Sequence, residues 1–443
     1  MTTPIADFVK KYVESRSSRF HMPGHKGQGF LGCEAFDITE IDGADVLGCA
    51  DGIIAESEKN AASLFKSKYS FYSTEGSTLC IKAMLAIIKK KNGNATRIYA
   101  ARNAHKAFIY ACALLDITPT WLYSENASHL CACQITPKTL EKRLSAEETL
   151  PDAVYITSPD YLGNIADVEG LAQVCHRFGL PLLVDNAHGA YLAFLKSSLH
   201  PLALGADMCC DSAHKTLPVL TGGAYLHIGK DFDISESEVR NALSLFASTS
   251  PSYLTLQSLD MCNDYLCQGY AQRLASCIEN IERLKKDLKH IGITADTTDE
   301  PLKIVFSRQV SGISGYDLAQ RLRTFGAEPE FYDKDSLVLM MTPELDATDL
   351  KKVLDALSEA NIPRSCYQAP PSPTELKQVC SIREAILSPS EIVDVKKAIG
   401  RVCATPTVSC PPAVPIAVSG ELIDSHAAEI FSYYGIEKIE VMK

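Results

Sequence analysis

The amino-acid sequence predicts an α/β protein, with a large, mostly parallel sheet domain and a smaller α/β C-terminal domain. Three observations predict it. From about residue 56 short apolar runs alternate with amphipathic stretches, the pattern of strands joined by crossover helices. Polar and glycine-bearing turns fall at or just after the ends of those runs, where parallel sheets bind ligands. The 443 residues suffice for two or three domains and a large core.

Taken in order, residues 1–20 read as a helical arm, and residues 21–55, rich in Gly and Asp, as irregular chain. ESEKNAASLFK is helical, KYSFYST a strand and GSTLCIKAMLAIIKKK a helix. RIYAA, TPTWLY, AVYITSP and LPLLVDNA read as strands, with helices HKAFIYACALL and VEGLAQVCHRFG among them. Residues 251–290 carry long helical periodicity. Beyond them come strands LKIVF and SLVLMMTP, helix DATDLKKVLDALSEA, a Pro-rich linker at 368–376, helix EIVDVKKAIGRV and a final helix–strand. The expected division is an arm and site loop over 1–60, a large domain over 61–290 and a small domain over 291–443.

Hydrophobic content of 46% and charged content of 22% are those of a soluble globular chain. A net charge of -11 with no basic block argues against nucleic acid, and no apolar run reaches membrane-spanning length. The charged start, MTTPIADFVKKYVESR, is not a signal peptide, so sixteen scattered cysteines read as free thiols of a reducing cytoplasm. They lack zinc-ligand spacing. His21 and His25 are four apart, but Pro23-Gly24 between them breaks any helix, so a rigid loop lining a site is expected there and no metal. No GxSxG, Walker A or GxGxxG pattern is present.

The chemistry concentrates at Asp207–Pro218, DMCCDSAHKTLP. Lys215 follows Ser-Ala-His, with Gly222-Gly223 shortly after. Thirty positions earlier LPLLV ends in Asp185-Asn186-Ala187-His188. A buried-strand aspartate followed by a lysine in a polar turn is what pyridoxal phosphate chemistry needs. The lysine forms the Schiff base, and the acid keeps a proton on the pyridine nitrogen. Gly76-Ser77-Thr78 opens a helix after a strand, either as a phosphate cradle or as an ordinary cap. Asp185 is either the pyridinium partner or a helix cap. His105, at a strand-to-helix turn, either stacks on the cofactor or caps the helix, and His188 is a similar case. Ser212 and His214 either donate to the phosphate or bond within their own turn.

These residues and their surroundings resemble the Orn/Lys/Arg decarboxylases of the bacterial type, in the short form without the N-terminal wing domain. The resemblance runs through FHMPGHKGQGF (20–30), FDITEIDGADVL (36–47), STEGST (73–78), ARNAHKAF (101–108) and SPDYLGNIADV (158–168). It continues through DNAHGAY (185–191), SAHKTLP (212–218), STSPSYLTLQSLD (248–260), SIREAILSP (381–389), AIGRV (398–402) and CPPAVPIAVSGE (410–421). It implies the type I fold of pyridoxal-phosphate-dependent transferases and a cytoplasmic lyase of amino acid metabolism and polyamine biosynthesis. That enzyme would decarboxylate arginine, lysine or ornithine. Lys215 would carry the cofactor, Asp185 pair with its nitrogen, Ala187 pack on the ring and His105 stack opposite. Ser77, Thr78, Ser212 and His214 would hold the phosphate. Ser248 or Thr249 would reach the phosphate of a neighbouring subunit, making at least a homodimer with shared sites.

The chain departs from the family at Asn186, where Glu is common, and at Leu79, where a hydroxyl or Gly is common. Its tail reads SCPPAVP (409–415) and SGE (419–421) where PYPPGVP and PGE are usual. Glu384 is a candidate for the distal cation of the substrate. An aminotransferase or other lyase on the same fold, or a catalytically silent regulatory homologue, are the alternative readings.

Overall fold

The structure, a computed structural model, describes residues 1–93, 96–124, 129–358, 367–406 and 414–443. Its strands are β1 Tyr69–Ser73, β2 Thr96–Ala101, β3 Ile117–Leu122, β4 Ala153–Thr157, β5 Leu182–Asp185 and β6 Met208–Asp211. They continue with β7 Ala224–Ile228, β8 Lys303–Ser307, β9 Phe331–Tyr332, β10 Ser336–Met340, β11 Ser390–Asp394 and β12 Lys438–Met442. The chain forms two compact units, each made of discontinuous segments. One comprises Met1–Ala95, Leu150–Ser158 and Val168–Gln272, the other Thr96–Thr149, Pro159–Asp167 and Arg273–Lys443.

In the first unit the strand order is β1-β7-β6-β5-β4. β4, β5 and β6 run parallel, and β7 is antiparallel to both β6 and β1. Every residue of β5, β6 and β7 is buried. Strands covered on both faces need an unbroken apolar run rather than alternation, which is how LLV before Asp185 reads. Helix Gly76–Asn92 packs on β6 and β7 and ends at Gly93, whose φ of +82° suits a glycine.

The N-terminal helix, Pro4–Glu14, is pinned by a carboxylate. Asp260, on helix Tyr253–Cys267, accepts the Ile5 and Ala6 amides at 2.9 Å each and the Ser57 hydroxyl. The irregular stretch that follows is organised by Asp45. Its carboxylate accepts the amides of Val46, Asp51, Gly52 and Ile54 at 2.8–3.1 Å, so it caps helix Ile53–Phe65 from a distance.

In the second unit β2 and β3 pair in parallel, β8-β10-β9 form an antiparallel sheet, and β11 pairs with β12. Here one expectation fails. EIVDVKKAIGRV is not a helix: residues 390–394 are β11, in register from Ser390↔Met442 to Asp394↔Lys438, and only Val395–Ala398 makes a helical turn. Val395 and Ala398 are buried at i and i+3, which mimics a helix face in the sequence. β-Branched Ile392 and Val393, offered a partner strand at the end of the chain, take the ladder instead. β6, β7 and helix Glu236–Ser244 were not foreseen as elements.

Burial pushes the Asp260 carboxyl up to about 6 from 3.8, against the lowering effect of Ser57 and the two amides. An acid raised in the folded state stabilises it fully below the unfolded pKa, and that contribution is lost as pH rises through the folded one. Asp260→Asn should therefore flatten the fall in stability between about pH 4 and pH 6, a change on the order of 2–3 kcal/mol. Denaturant midpoints of both proteins across that range would show it, and parallel profiles would refute it.

Candidate active site

The carboxyl ends of β5 and β6 carry the chemistry. Asp185 closes β5 and is 2% exposed. The Tyr155 hydroxyl donates to its Oδ2 and the Ala187 N–H to its Oδ1, each at 3.2 Å, with the Cys210 thiol at 3.7 Å. These three neutral donors aim the carboxylate. Next along, Ser212 precedes the single helical turn Ala213–Thr216, which holds Lys215, without capping it through its side chain. The Lys215 Nζ lies 3.0 Å from His188 Nε2. An ammonium has only donors, so the imidazole nitrogen accepts.

The glycine pair ties this turn to the first helix. The Gly222 carbonyl accepts the Gly76 N–H at 2.7 Å. The Gly223 carbonyl accepts the His214 backbone N–H at 3.1 Å and its ring Nδ1 at 3.0 Å, which fixes a proton on Nδ1. The Ser212 hydroxyl donates to Ser77 Oγ at 2.8 Å. Ser77, Ser212 and the amide-rich start of helix Gly76–Asn92 therefore converge, with exposed Thr78 beside them. Ser248, exposed like Thr249, donates its N–H to Glu75 Oε1 at 2.6 Å, next to Gly76.

Ser248 and Thr249 also line a cavity of about 150 Å³ with Glu40, Glu58, Leu79 and Arg240. Burial pushes the Glu58 carboxyl up to about 7, although the Arg240 guanidinium stands 2.7 Å away.

The two loop histidines turn to separate partners, His21 to the Tyr12 hydroxyl at 2.6 Å and His25 to Asp37 at 3.2 Å. His105 belongs to the second unit, where its Nδ1 accepts the Ala107 N–H and caps helix Lys106–Leu115. In the same unit Arg102, three residues earlier, donates to the Pro415 and Ile416 carbonyls at 2.9 Å and to Glu421 at 3.3 Å. Glu384 is an exposed residue in the first turn of helix Ile382–Leu387. Residues 409–413 of the SCPPAVP tail lie outside the described residues.

Behind Lys215 lies a cluster that the sequence reading missed. Asp211, fully buried, accepts Asn186 Nδ2 at 2.7 Å and His200 Nε2 at 3.0 Å, and His227 Nε2 approaches it at 3.3 Å. Burial alone would raise this carboxyl, but the two imidazoles hold it well below the usual range. Burial also keeps His227 below its ordinary value, against the pull of Asp211. His200, Cys209 and Asp211 have potential ligand atoms within 4.8 Å of one another. However, His200 Nδ1 accepts the Leu202 N–H, which puts the ring proton on Nε2 facing Asp211. Burial pushes the Cys209 thiol up, so this is a hydrogen-bonded core cluster rather than a metal site. An aspartate closing MCCD was the available signal for it.

The strand order, with its lysine turn after β6 and its aspartate at the end of β5, defines the class: an α/β enzyme of the pyridoxal-phosphate-dependent type I fold. The chain belongs to the Orn/Lys/Arg decarboxylase family: residues 3–318 match the family's major domain and residues 361–439 its C-terminal domain. It is 28% identical to an arginine decarboxylase of Bacillus subtilis, covering 95% of this chain and 91% of that protein. An arginine decarboxylase of Halalkalibacterium halodurans is 29% identical, over 95% and 91%. The solved constitutive lysine decarboxylase of Escherichia coli superposes with a TM-score of 0.80 at 18% identity, covering 100% of this chain and 82% of that one. The chain is thus a decarboxylase by family, and no helix among the described residues is long and apolar enough to cross a membrane.

The glycine turn yields a ranking. A Cβ on Gly222 would stand 2.7 Å from the Thr74 carbonyl oxygen, at a φ of +95°, whereas one on Gly76, at +69°, meets nothing within 4 Å. Gly76→Ala should cost about 1–2 kcal/mol from the left-handed backbone alone. Gly222→Ala should cost more, because the 73–76 turn must also move. Thermal melts should order wild type, G76A, G222A from high to low; a wild-type melt for G222A would contradict the geometry.

Proposed function

We propose that this chain is a pyridoxal-phosphate-dependent decarboxylase of a basic amino acid, arginine, lysine or ornithine. The reaction takes up one proton and gives the corresponding amine and carbon dioxide. The observation that carries the reading is the convergence in one unit of a lysine amine, an oriented buried carboxylate and a helix start with two serine hydroxyls. This donor set fits the cofactor. The open space at Gly76 suits a phosphate against backbone amides, and the Asp185 carboxylate suits a protonated ring nitrogen. When bound, pyridoxal phosphate supplies the electron sink for the carbon–carbon bond that breaks.

The residues divide the remaining work. Lys215 would hold the cofactor covalently through its side-chain amine. His188, 3.0 Å from that amine, accepts its proton. Asp185 would keep the ring nitrogen protonated, and Ala187 would pack on the ring. Ser77, Thr78, Ser212 and His214 would bind the phosphate, the last through a ring whose orientation Gly223 sets. The ARNAHKAF resemblance supports a ring-stacking role for His105, and STSPSY supports a phosphate-binding role for Ser248 or Thr249 toward a neighbouring subunit. We take the enzyme to be a homodimer with shared sites, cytoplasmic and serving polyamine biosynthesis.

Mass-spectrometric product analysis with added pyridoxal phosphate and a panel of arginine, lysine, ornithine and neutral amino acids tests this reading. One basic substrate should give its amine and carbon dioxide; a keto acid would overturn it in favour of an aminotransferase. Lys215→Ala should abolish turnover, and Asp185→Asn should lower kcat by about a hundredfold or more. Full activity in K215A would remove the assignment.

A further inference from the structure

We propose that Asp211 is a positioning residue: through Asn186 and His200 it clamps both ends of the 186–200 loop, and thereby holds His188 and Asp185 in register with Lys215. This deepens the decarboxylase reading and rests on it for the roles of those three residues.

β5 and β6 are parallel, with Asp185 opposite Cys210, and their last ladder bond runs from the Asn186 N–H to the Cys210 carbonyl at 3.0 Å. Side chains alternate along a strand, so Asp185 and Cys210 meet on one face while Asn186 and Asp211 meet on the other. The bond from Asn186 Nδ2 to Asp211 Oδ1, 2.7 Å long, therefore continues the pairing one step beyond the backbone ladder. Past that point β5 enters the loop and β6 enters the lysine turn.

The loop then comes back to the same carboxylate. His200, at its far end, donates Nε2–H to Asp211 Oδ2 at 3.0 Å. Between these anchors lie Ala187 and His188, the residues assigned to the ring and to the lysine amine. Gly189 makes the first anchor possible, since a Cβ there would stand 2.0 Å from Asn186 Oδ1. Behind the second, His227 is held by the Ser70 hydroxyl at 2.7 Å and stacks on Tyr225, with Phe65 close against it. Asn186, His200, Asp211 and His227 are all 0–1% exposed, so water does not compete for these bonds. Asn186 is also where this chain departs from the family's common glutamate. A carboxylate at 186 cannot donate to Asp211, so the clamp is a property of this chain's own pairing.

The test has two arms. In the cofactor-free protein, proton NMR should show an exchange-protected imidazole N–H resonance that is lost in both Asp211→Asn and His200→Leu. In the second arm, equilibrium binding of pyridoxal phosphate, read by its visible absorbance, should weaken by about tenfold to a hundredfold in D211N and H200L. His200→Gln, whose amide restores a donor near the Nε2 position, should recover affinity to within about threefold of wild type. Wild-type affinity in D211N, or equal losses in H200L and H200Q, would overturn the proposal. Should D211N fail to fold, the H200L and H200Q pair decides. If wild type itself binds no pyridoxal phosphate, the functional reading fails instead, and the resonance in the cofactor-free protein still decides for or against the clamp.

Discussion

Two neighbouring parallel strands in the core of this protein both end in a buried aspartate, and the site depends on how those carboxylates are given donors and kept apart. Desolvating a carboxylate is unfavourable unless donors replace water. Period-two alternation sends Asp185 and Asp211 to opposite faces of the sheet, so each can have its own donors: Tyr155, the Ala187 amide and Cys210 for one, and Asn186, His200 and the nearby His227 for the other. Had the register slipped by one residue, the two acids would compete for one set. The single turn bearing Lys215 is short enough to inherit its orientation from Asp211, three residues before its centre.

A second layer of order comes from the Gly222-Gly223 turn. By bonding to Gly76 on one side and His214 on the other, it makes the helix start and the lysine turn parts of one hydrogen-bonded assembly. The positive φ values at Gly76 and Gly222 are the backbone requirement of that assembly, and the Ser77–Ser212 bond closes it. A phosphate bound there would meet groups already held at short range, so little ordering would remain to be done on binding.

How much of this was legible follows from what each feature depends on. LLV before Asp185 and the serine, histidine and lysine of SAHK are local signals, because a strand covered on both faces must be apolar throughout and its loop must be polar. MCCD was harder to read: two cysteines between acids carry little β signal, and their burial becomes visible only once β5 and β7 flank them. EIVDV misled because two residues that face the core at i and i+3 serve a short turn as well as a long helix. The bonds from Asn186 and His200 to Asp211 span 25 and 11 positions, and that from Ser248 to Glu75 spans 173. No local pattern encodes such partners; they follow from topology. His105 shows the limit most clearly: its capping bond to the Ala107 amide is local, whereas the stacking role proposed for it is not.

Family membership constrains the reaction more tightly than the substrate, since the family spans ornithine, lysine and arginine decarboxylases. Lys215, Asp185, Ser77, Ser212 and His214, the residues proposed for the cofactor, all sit on the first unit. His105 stands three residues beyond Arg102, whose guanidinium is buried on the Pro415 and Ile416 carbonyls and on Glu421, with Trp121 against its face. A buried guanidinium stripped of such partners is strongly destabilised, so the two segments must be retained together. ARNAHKAF and PIAVSGE, more than 300 positions apart, are therefore one physical element of the second unit. Through Arg102, the Pro415 and Ile416 carbonyls and Glu421 thus bear on the segment that leads into the helix His105 caps.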